Sequence, residues 1–320
     1  MPSLFAPKIA AALDYRESVG KASKNHATYL RNFDSFCAKH YPEESRLNKE
    51  IAWDWVYSPL HKNQNAVNWR IKAICFLGEY LTATGEDAYV FPDAMASTKY
   101  KLSPHVFTDD ELRRFFAAAD TFPQNPQNPI QHRIVPVVFR LIYTCGLRPN
   151  EGRELKRRSV NLGTGEILIT NTKFQKERLV VMSDDMLTLC RDYAQWLGEE
   201  APVDSEYFFP TENGCCYSTN QFGKLFRQCW RQANADVPAS ELPRVRVYDL
   251  RHRFASAVLN RWIDQKRDLY AMLPYLRAYM GHADLSATEY YVHLLPENLV
   301  KSRGINWTAL ESVIPEVACE

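Results

Sequence analysis

Three short stretches of the chain concentrate residues able to hold or attack an anion. In the first, Thr144-Cys145-Gly146-Leu147-Arg148-Pro149-Asn150-Glu151, the glycine can end one helix and Pro149 can open another, which leaves Arg148 at the junction. A guanidinium there offers a planar fork of donors matched to two oxygens of a carboxylate or phosphate. Its plainer role is a surface pair with Glu151 or Glu154. Arg153, Lys156, Arg157 and Arg158 follow closely and make a local basic stretch suited to phosphates. The second stretch is Val247-Tyr248-Asp249-Leu250-Arg251-His252-Arg253-Phe254-Ala255-Ser256. With Arg244 and Arg246 ahead of it, it sets four arginines in ten residues against one aspartate. The third runs from Met280 to His293 and places His282 eight and nine residues ahead of Tyr290 and Tyr291. Taken singly, each of these residues reads as structural, because tyrosine and histidine are often half-buried in ordinary folds.

No metal-ligating pattern accompanies these groups. The eight cysteines, at 37, 75, 145, 190, 215, 216, 229 and 319, contain no C-x-x-C pair, and the histidines do not cluster as zinc ligands would. Cys215 and Cys216 are adjacent and cannot form an ordinary bridge with each other. Reduced thiols, no metal and no cofactor are expected.

The elements that must position these residues are mostly helical. Glycine is scarce, 12 of 320 residues, which disfavours a turn-rich sandwich or a glycine-threaded nucleotide fold. From about 14 to 90, apolar residues recur at helical spacing in Tyr29, Phe33, Phe36 and Cys37, in Ile51, Ala52, Trp55 and Val56, and in Val67, Ile71, Ile74, Cys75 and Leu77. Between Glu86 and Pro104 that rhythm fades into charged residues, Ser, Thr and Pro, and a domain boundary is expected there. A new helix opens at Thr108, with Glu111 three residues on completing a capping box and an apolar face of Leu112, Phe115, Phe116 and Ala119. A second helix follows from about Ile134. Glu166–Thr170 and Arg178–Met182 are β-branched and flank the polar turn Asn171–Glu177, which predicts a hairpin. Gly163-Thr164-Gly165 precedes a strand, so it reads as a turn and not as a phosphate loop. The fold class expected is mainly α, in two domains, with a small antiparallel hairpin.

The longest apolar stretch, Ile134 to Cys145, is interrupted by Pro136 and Arg140 and falls short of the roughly 20 residues of a membrane span. The short run Ile9 to Leu13 meets Asp14, Arg16 and Glu17 at once, which does not fit a signal segment. A cytoplasmic protein with no membrane partner is expected. Net charge is +1, and residues 1–100 hold 12 Lys and Arg against 11 Asp and Glu. Any nucleic-acid surface must therefore be a local patch.

Read together and in order, the three stretches and the hairpin resemble the tyrosine recombinase family, the phage-integrase and Xer-like enzymes, from about Val106 to Leu295. The resemblance rests on Gly-Leu-Arg-x-x-Glu at 146–151, the lysine of Thr172-Lys173-Phe174-Gln175-Lys176-Glu177-Arg178-Leu179-Val180-Val181, Arg-His-x-Phe-Ala at 251–255, and Gly281-His282 with a tyrosine nine residues after the histidine. It implies a helical core-binding domain over 1–95, a linker over 96–105 and a catalytic domain with a C-terminal tail over 106–320. It further implies that Arg148 and Arg251 are the catalytic arginines, His282 the histidine that follows them, Lys173 the hairpin lysine acting as general acid, Tyr291 the nucleophile and Glu151 a supporting residue. Arg153, Lys156, Arg157, Arg158, Arg244, Arg246 and Arg253 would meet the duplex. The implied activity is cleavage and rejoining of double-stranded DNA through a 3′-phosphotyrosyl intermediate, without metal or ATP, by a homotetramer on two DNA sites and in the setting of a mobile element. A type IB topoisomerase-like relaxation activity and a non-catalytic DNA-binding relative are the alternatives.

One position departs from the pattern. The family usually has a histidine three residues before the second arginine, and here Tyr248 stands in its place. A phenol can donate a hydrogen bond to a phosphate oxygen, but with a pKa of about 10 it is no base near neutrality. His252 is not expected to replace it, because a helix turns it about 100° away from Arg251. The segment between Ser256 and Gly281 also reads as longer than usual, with a local insertion near Asp264 to Arg267.

Overall fold

A computed structural model describes residues 2–21, 23–58, 64–92, 95, 104–170, 177–282 and 284–292. The protein is mainly α with one small antiparallel sheet, and it divides into two compact units, Met1–Ser103 and Pro104–Glu320.

The first unit holds α1 (Ala6–Ser18), α2 (Lys24–His40), α3 (Lys49–Val56) and α4 (Gln64–Ala83). Helix α1 begins well ahead of the start near residue 14 that periodicity suggested. Only Ile9 and Ala12 are buried along it, so its apolar stripe is too thin to read. Asn48 caps α3 by accepting the Ile51 amide at 3.0 Å. Leu30, Phe33, Cys37, Ile51, Trp55, Ile71, Ile74 and Leu77 form the core with Phe5. Arg70 is buried in that core, its guanidinium 4.9 Å from the Trp55 ring centre and bonded to the Trp55 carbonyl.

The second unit opens with α5 (Asp109–Asp120), whose Thr108–Glu111 capping box forms as the sequence predicts, and α6 (Gln131–Thr144). These pack with α9 (Thr219–Ala233) around Phe107, Phe115, Phe139, Phe226 and Trp230. Between them in the chain come α7 (Pro149–Arg153), a single 3-10 turn at Arg157–Ser159, the strands β1 (Val160–Asn161), β2 (Glu166–Ile169) and β3 (Arg178–Val181), and α8 (Asp184–Glu199). The sheet is antiparallel in the order β1-β2-β3, with Glu166 opposite Val181 and Ile169 opposite Arg178. Ile167, Ile169 and Val180 face the core, whereas Leu168, Leu179 and Val181 are exposed, as period-two alternation requires. The hairpin is thus present, and its turn, with Lys173, lies outside the described residues.

The chain ends its described course with α10 (Val247–Asp264), α11 (Leu269–Met280) and α12 (Ser286–Val292). The segment Asp264–Arg267 is a tight turn in which Lys266 adopts φ +56°, and Asp268 then caps α11. Ala255, Leu259, Leu273, Leu276, Met280 and Tyr291 make a small apolar cluster of their own among these three helices. Among the described residues no helix is long and apolar enough to cross a membrane. Cys37, Cys75, Cys145, Cys190, Cys215, Cys216 and Cys229 are all free thiols.

Candidate active site

The site forms where α6 ends, α7 begins, and α10, α11 and α12 come together. Helix α6 is broken by Gly146, whose φ of +60° suits glycine and whose absent Cβ leaves room for the Phe254 ring. An added Cβ would lie 2.5 Å from that ring. Two residues later Arg148 caps α7 in extended conformation. Glu151, three residues into the turn, accepts the Arg148 backbone amide at 2.7 Å and its Nη1 at 2.8 Å. The pair with Glu151 that a plain surface reading suggested therefore exists, yet it is internal to the site.

Arg251 projects from the second turn of α10 and is fully buried. Its Nη1 donates to the Gly146 carbonyl at 2.7 Å and its Nη2 to the Met280 carbonyl at 2.6 Å. Its Nε has no hydrogen-bond partner among the described residues. Burial lowers the Arg251 pKa, with the Arg148 charge adding to the effect, but a guanidinium starts so high that it stays charged.

Arg178, which no motif singled out, completes the centre. It opens β3 on the same inward face as Val180, and its side chain is only 8% exposed. Both of its terminal nitrogens bond Glu151, at 2.9 and 2.7 Å, while its Nε donates to the Tyr279 carbonyl at 2.8 Å. The signal available in the sequence was the alternation of the strand, which puts residue 178 inward. What it would meet there could not be read.

Three consecutive carbonyls at the end of α11 thus each receive one arginine: Tyr279 takes Arg178, Met280 takes Arg251 and Gly281 takes Arg148. A helix C-terminus carries unpaired carbonyls and partial negative charge, which favours cations. Gly281, at φ +65°, ends the helix and turns the chain toward His282. Glu151 touches all three arginines, with Arg251 Nη1 at 4.0 Å. Burial alone would raise its pKa, but the bonds and charge of Arg178, followed by those of Arg148, hold it down at about 2.

His282 Nδ1 lies 2.8 Å from Thr288 Oγ1 on α12, and the His282 ring stacks on Tyr291 with centres 6.0 Å apart and planes 16° apart. Burial and the charges of Arg251, Arg148 and Arg178 push the His282 pKa down to about 3, so the ring is neutral near pH 7. Tyr291 is itself 2% exposed. The side chain of Tyr290 lies outside what is described.

His252 has contacts that the sequence reading did not anticipate. It is turned from Arg251, but it stands four residues after Tyr248 and so shares that residue's face of α10. Its ring centre is 4.9 Å from that of Tyr248 and 5.3 Å from that of Tyr291. His252 therefore belongs to the site. Tyr248 is half-buried beside it.

The basic residues expected to meet the duplex divide into two groups. Arg153 donates to the Tyr217 carbonyl at 2.6 Å and to Asn150 Oδ1 at 3.0 Å, and Arg253 pairs with Asp109. These two are largely buried braces, at 12% and 14% side-chain exposure. Lys156 bonds Glu206 at 2.8 Å, Arg246 bonds Asp249 at 2.9 Å, and Arg157 donates to the Tyr207 and Val203 carbonyls, both at 3.3 Å. Arg157, Arg158, Arg244 and Arg246 are exposed.

The model of the phage integrase family matches residues 105–298, which is more than half of the chain and includes every residue of this centre. The chain belongs to the phage integrase family. By that membership it is a tyrosine-type site-specific recombinase. It is similar to the y4rB protein of Sinorhizobium fredii, provisionally named an integrase/recombinase, at 24% identity over 299 residues that span 92% of this chain and 94% of that protein. The tyrosine recombinase XerD of Rhizobium meliloti is 28% identical over 208 residues, 64% of this chain and 61% of XerD. Among solved structures, the XerH site-specific recombinase in a post-cleavage complex with palindromic difH substrate superposes with a TM-score of 0.62 at 18% identity, over 86% of this chain and 77% of XerH. That likeness is one of fold.

Proposed function

We propose that this recombinase cuts and rejoins double-stranded DNA at specific sites by attack of the Tyr291 phenol on a phosphate, leaving a 3′-phosphotyrosyl bond and a free 5′-hydroxyl. The observation that carries this reading is the convergence of Arg148, Arg251 and His282 beside Tyr291, with the buried Arg251 Nε short of a partner. A buried, charged donor without an acceptor costs free energy unless a ligand supplies one. A phosphate oxygen is such an acceptor.

Attack at phosphorus builds negative charge on the nonbridging oxygens. Two preorganised guanidiniums answer it, and donors of this kind contribute about 3–4 kcal/mol each to the barrier. Glu151 and the carbonyls of α11 fix the arginines before substrate arrives, so little reorganisation is left for the transition state. Neutral His282 adds a donor or acceptor without adding charge. Lys173, between β2 and β3 in the chain, is the proposed general acid for the departing 5′-oxygen. Because the bond energy is kept in the phosphotyrosine, the 5′-hydroxyl can reverse the step without ATP.

In this reading the helical first unit, about residues 1–95, takes part in binding the duplex. The exposed Arg157, Arg158, Arg244 and Arg246, with Lys156, supply phosphate contacts, while Arg153 and Arg253 act as braces for them. Exchange between two duplexes cuts four strands, which calls for four copies of the chain on two sites.

The test is covalent trapping on a nicked suicide duplex built from the DNA that flanks the gene. Wild-type protein and Tyr290→Phe should become linked to DNA, in EDTA as well, since guanidiniums carry the charge. Tyr291→Phe should bind and stay unlinked. Trapping by Tyr291→Phe would overturn the assignment, and relaxation of supercoils by a monomer without strand exchange would replace recombination with topoisomerase action.

A further inference from the structure

We infer that His252 is a positioning residue for the nucleophile, a neutral aromatic wedge that sets the angle of the Tyr291 ring. The inference rests on the reading of Tyr291 as the nucleophile.

Four rings stand in series across the site. Tyr248 meets His252 at 4.9 Å and 63°, His252 meets Tyr291 at 5.3 Å and 55°, and Tyr291 meets His282 at 6.0 Å and 16°. The phenol is therefore held from two directions, by a ring nearly parallel to it and by one tilted across it. His282 is fixed through its contact with Thr288, which sits on the same helix as Tyr291. It steadies the phenol relative to α12 and, directly after Gly281, stands next to the carbonyls that hold Arg148 and Arg251. His252 acts from the other helix: it follows Arg251 directly on α10, which the buried Arg251 bonds to Gly146 and Met280 anchor. Ala255 and Leu259 of α10 share an apolar cluster with Tyr291, and the His252 ring adds an aromatic contact from the arginine-bearing helix to the attacking ring.

Among the described residues, the charged and titratable groups that face His252 include Arg246, Arg251 and Tyr248 on its own helix and Tyr291 on α12. The two arginines oppose a further positive charge. Burial acts in the same direction, and the imidazole pKa lies at about 4. The ring therefore meets Tyr291 as a neutral aromatic surface. Tyr248, standing where the family usually carries histidine, packs edge-on against the same His252 ring.

Attack needs the phenol oxygen in line with the leaving oxygen, and a displacement of about 1 Å can cost on the order of 100-fold in rate. Removing the ring should therefore lower the rate while leaving DNA affinity alone. The experiment measures single-turnover trapping rates and duplex affinity for two full-length variants across pH 6 to 9. His252→Phe keeps a ring and loses both nitrogens. His252→Asn keeps polarity and loses the ring. The expected result is trapping within a few-fold of wild type for His252→Phe, a loss of about 10- to 100-fold for His252→Asn, unchanged affinity for both, and parallel pH profiles.

The reverse order, an active Asn variant and an inactive Phe variant, would overturn the inference and assign the work to a ring nitrogen. Equal loss in both variants would overturn it too, as would an Asn variant faster than wild type, which would mean that the ring holds the phenol back. Tyr291→Phe, run alongside, separates the two levels: if it still traps DNA, the nucleophile itself is misassigned, whatever His252 does.

Discussion

Glu151→Gln removes an acidic side chain that touches three buried or half-buried arginines, and its cost can be worked from the site. The Glu151 carboxyl has an ordinary pKa of 4.5 and is held at about 2 in the folded protein. Its side chain is 9% exposed, so solvent screening removes little of that effect. The difference corresponds to about 3 kcal/mol of stability at pH 7. Breaking a buried ion pair by removing one partner costs about 3–5 kcal/mol, which agrees. Because the folded pKa lies below the unfolded one, this contribution is complete above about pH 4.5 and is lost as pH falls toward 2. Urea unfolding of the full-length chain should therefore show the Gln variant less stable by about 3 kcal/mol at pH 7 and by only about 1 kcal/mol at pH 3. In heating at pH 7 the catalytic unit should melt roughly 6–12 °C lower. A Gln variant within about 1 kcal/mol of wild type at pH 7, or a gap that fails to narrow at pH 3, would show that the arginines find other partners and that Glu151 does not organise the centre.

Gly146→Ala should destabilise the catalytic unit by more than about 2 kcal/mol, since a left-handed conformation alone costs about 1–2 kcal/mol and the new Cβ would lie 2.5 Å from Phe254; thermal melts check this. Tyr248→Phe should raise the cleavage barrier by roughly 1–3 kcal/mol if the phenol donates to the phosphate, while Tyr248→His retains much of the rate; single-turnover trapping at saturating enzyme reads both, and a fully active Phe variant removes the donor role. Lys173→Ala should slow cleavage of ordinary DNA far more than cleavage of DNA with sulfur at the 5′-bridging position, because a thiolate leaves without a proton; equal slowing on both would assign Lys173 to binding.

Much of this protein is written in local sequence. The Thr108–Glu111 capping box, the helical spacing of Phe33 and Cys37 or of Ile71 and Ile74, and the β-branched runs that pair as β2 and β3 all act over a few residues. Such signals need no knowledge of what packs against them. The order of Arg148, Arg251, His282 and Tyr291 was legible for a related reason, since the spacing within each motif survives in a linear string. What the string could not express was assembly. Arg148 reaches Gly281 across 133 positions and Arg178 reaches Tyr279 across 101, and no periodicity reports which carbonyl a long side chain will find. Arg178 looked like an ordinary strand residue until the end of α11 was set beside it. His252 looked misplaced when measured from Arg251, yet its own helix face carries it to Tyr291. Arg153 and Arg253 looked like surface charge, and tertiary contacts turned them inward as braces. Local chemistry thus determined the elements and the list of candidate groups. Packing decided which of those groups meet, because burial leaves a charged or polar side chain only the partners that the fold brings within reach.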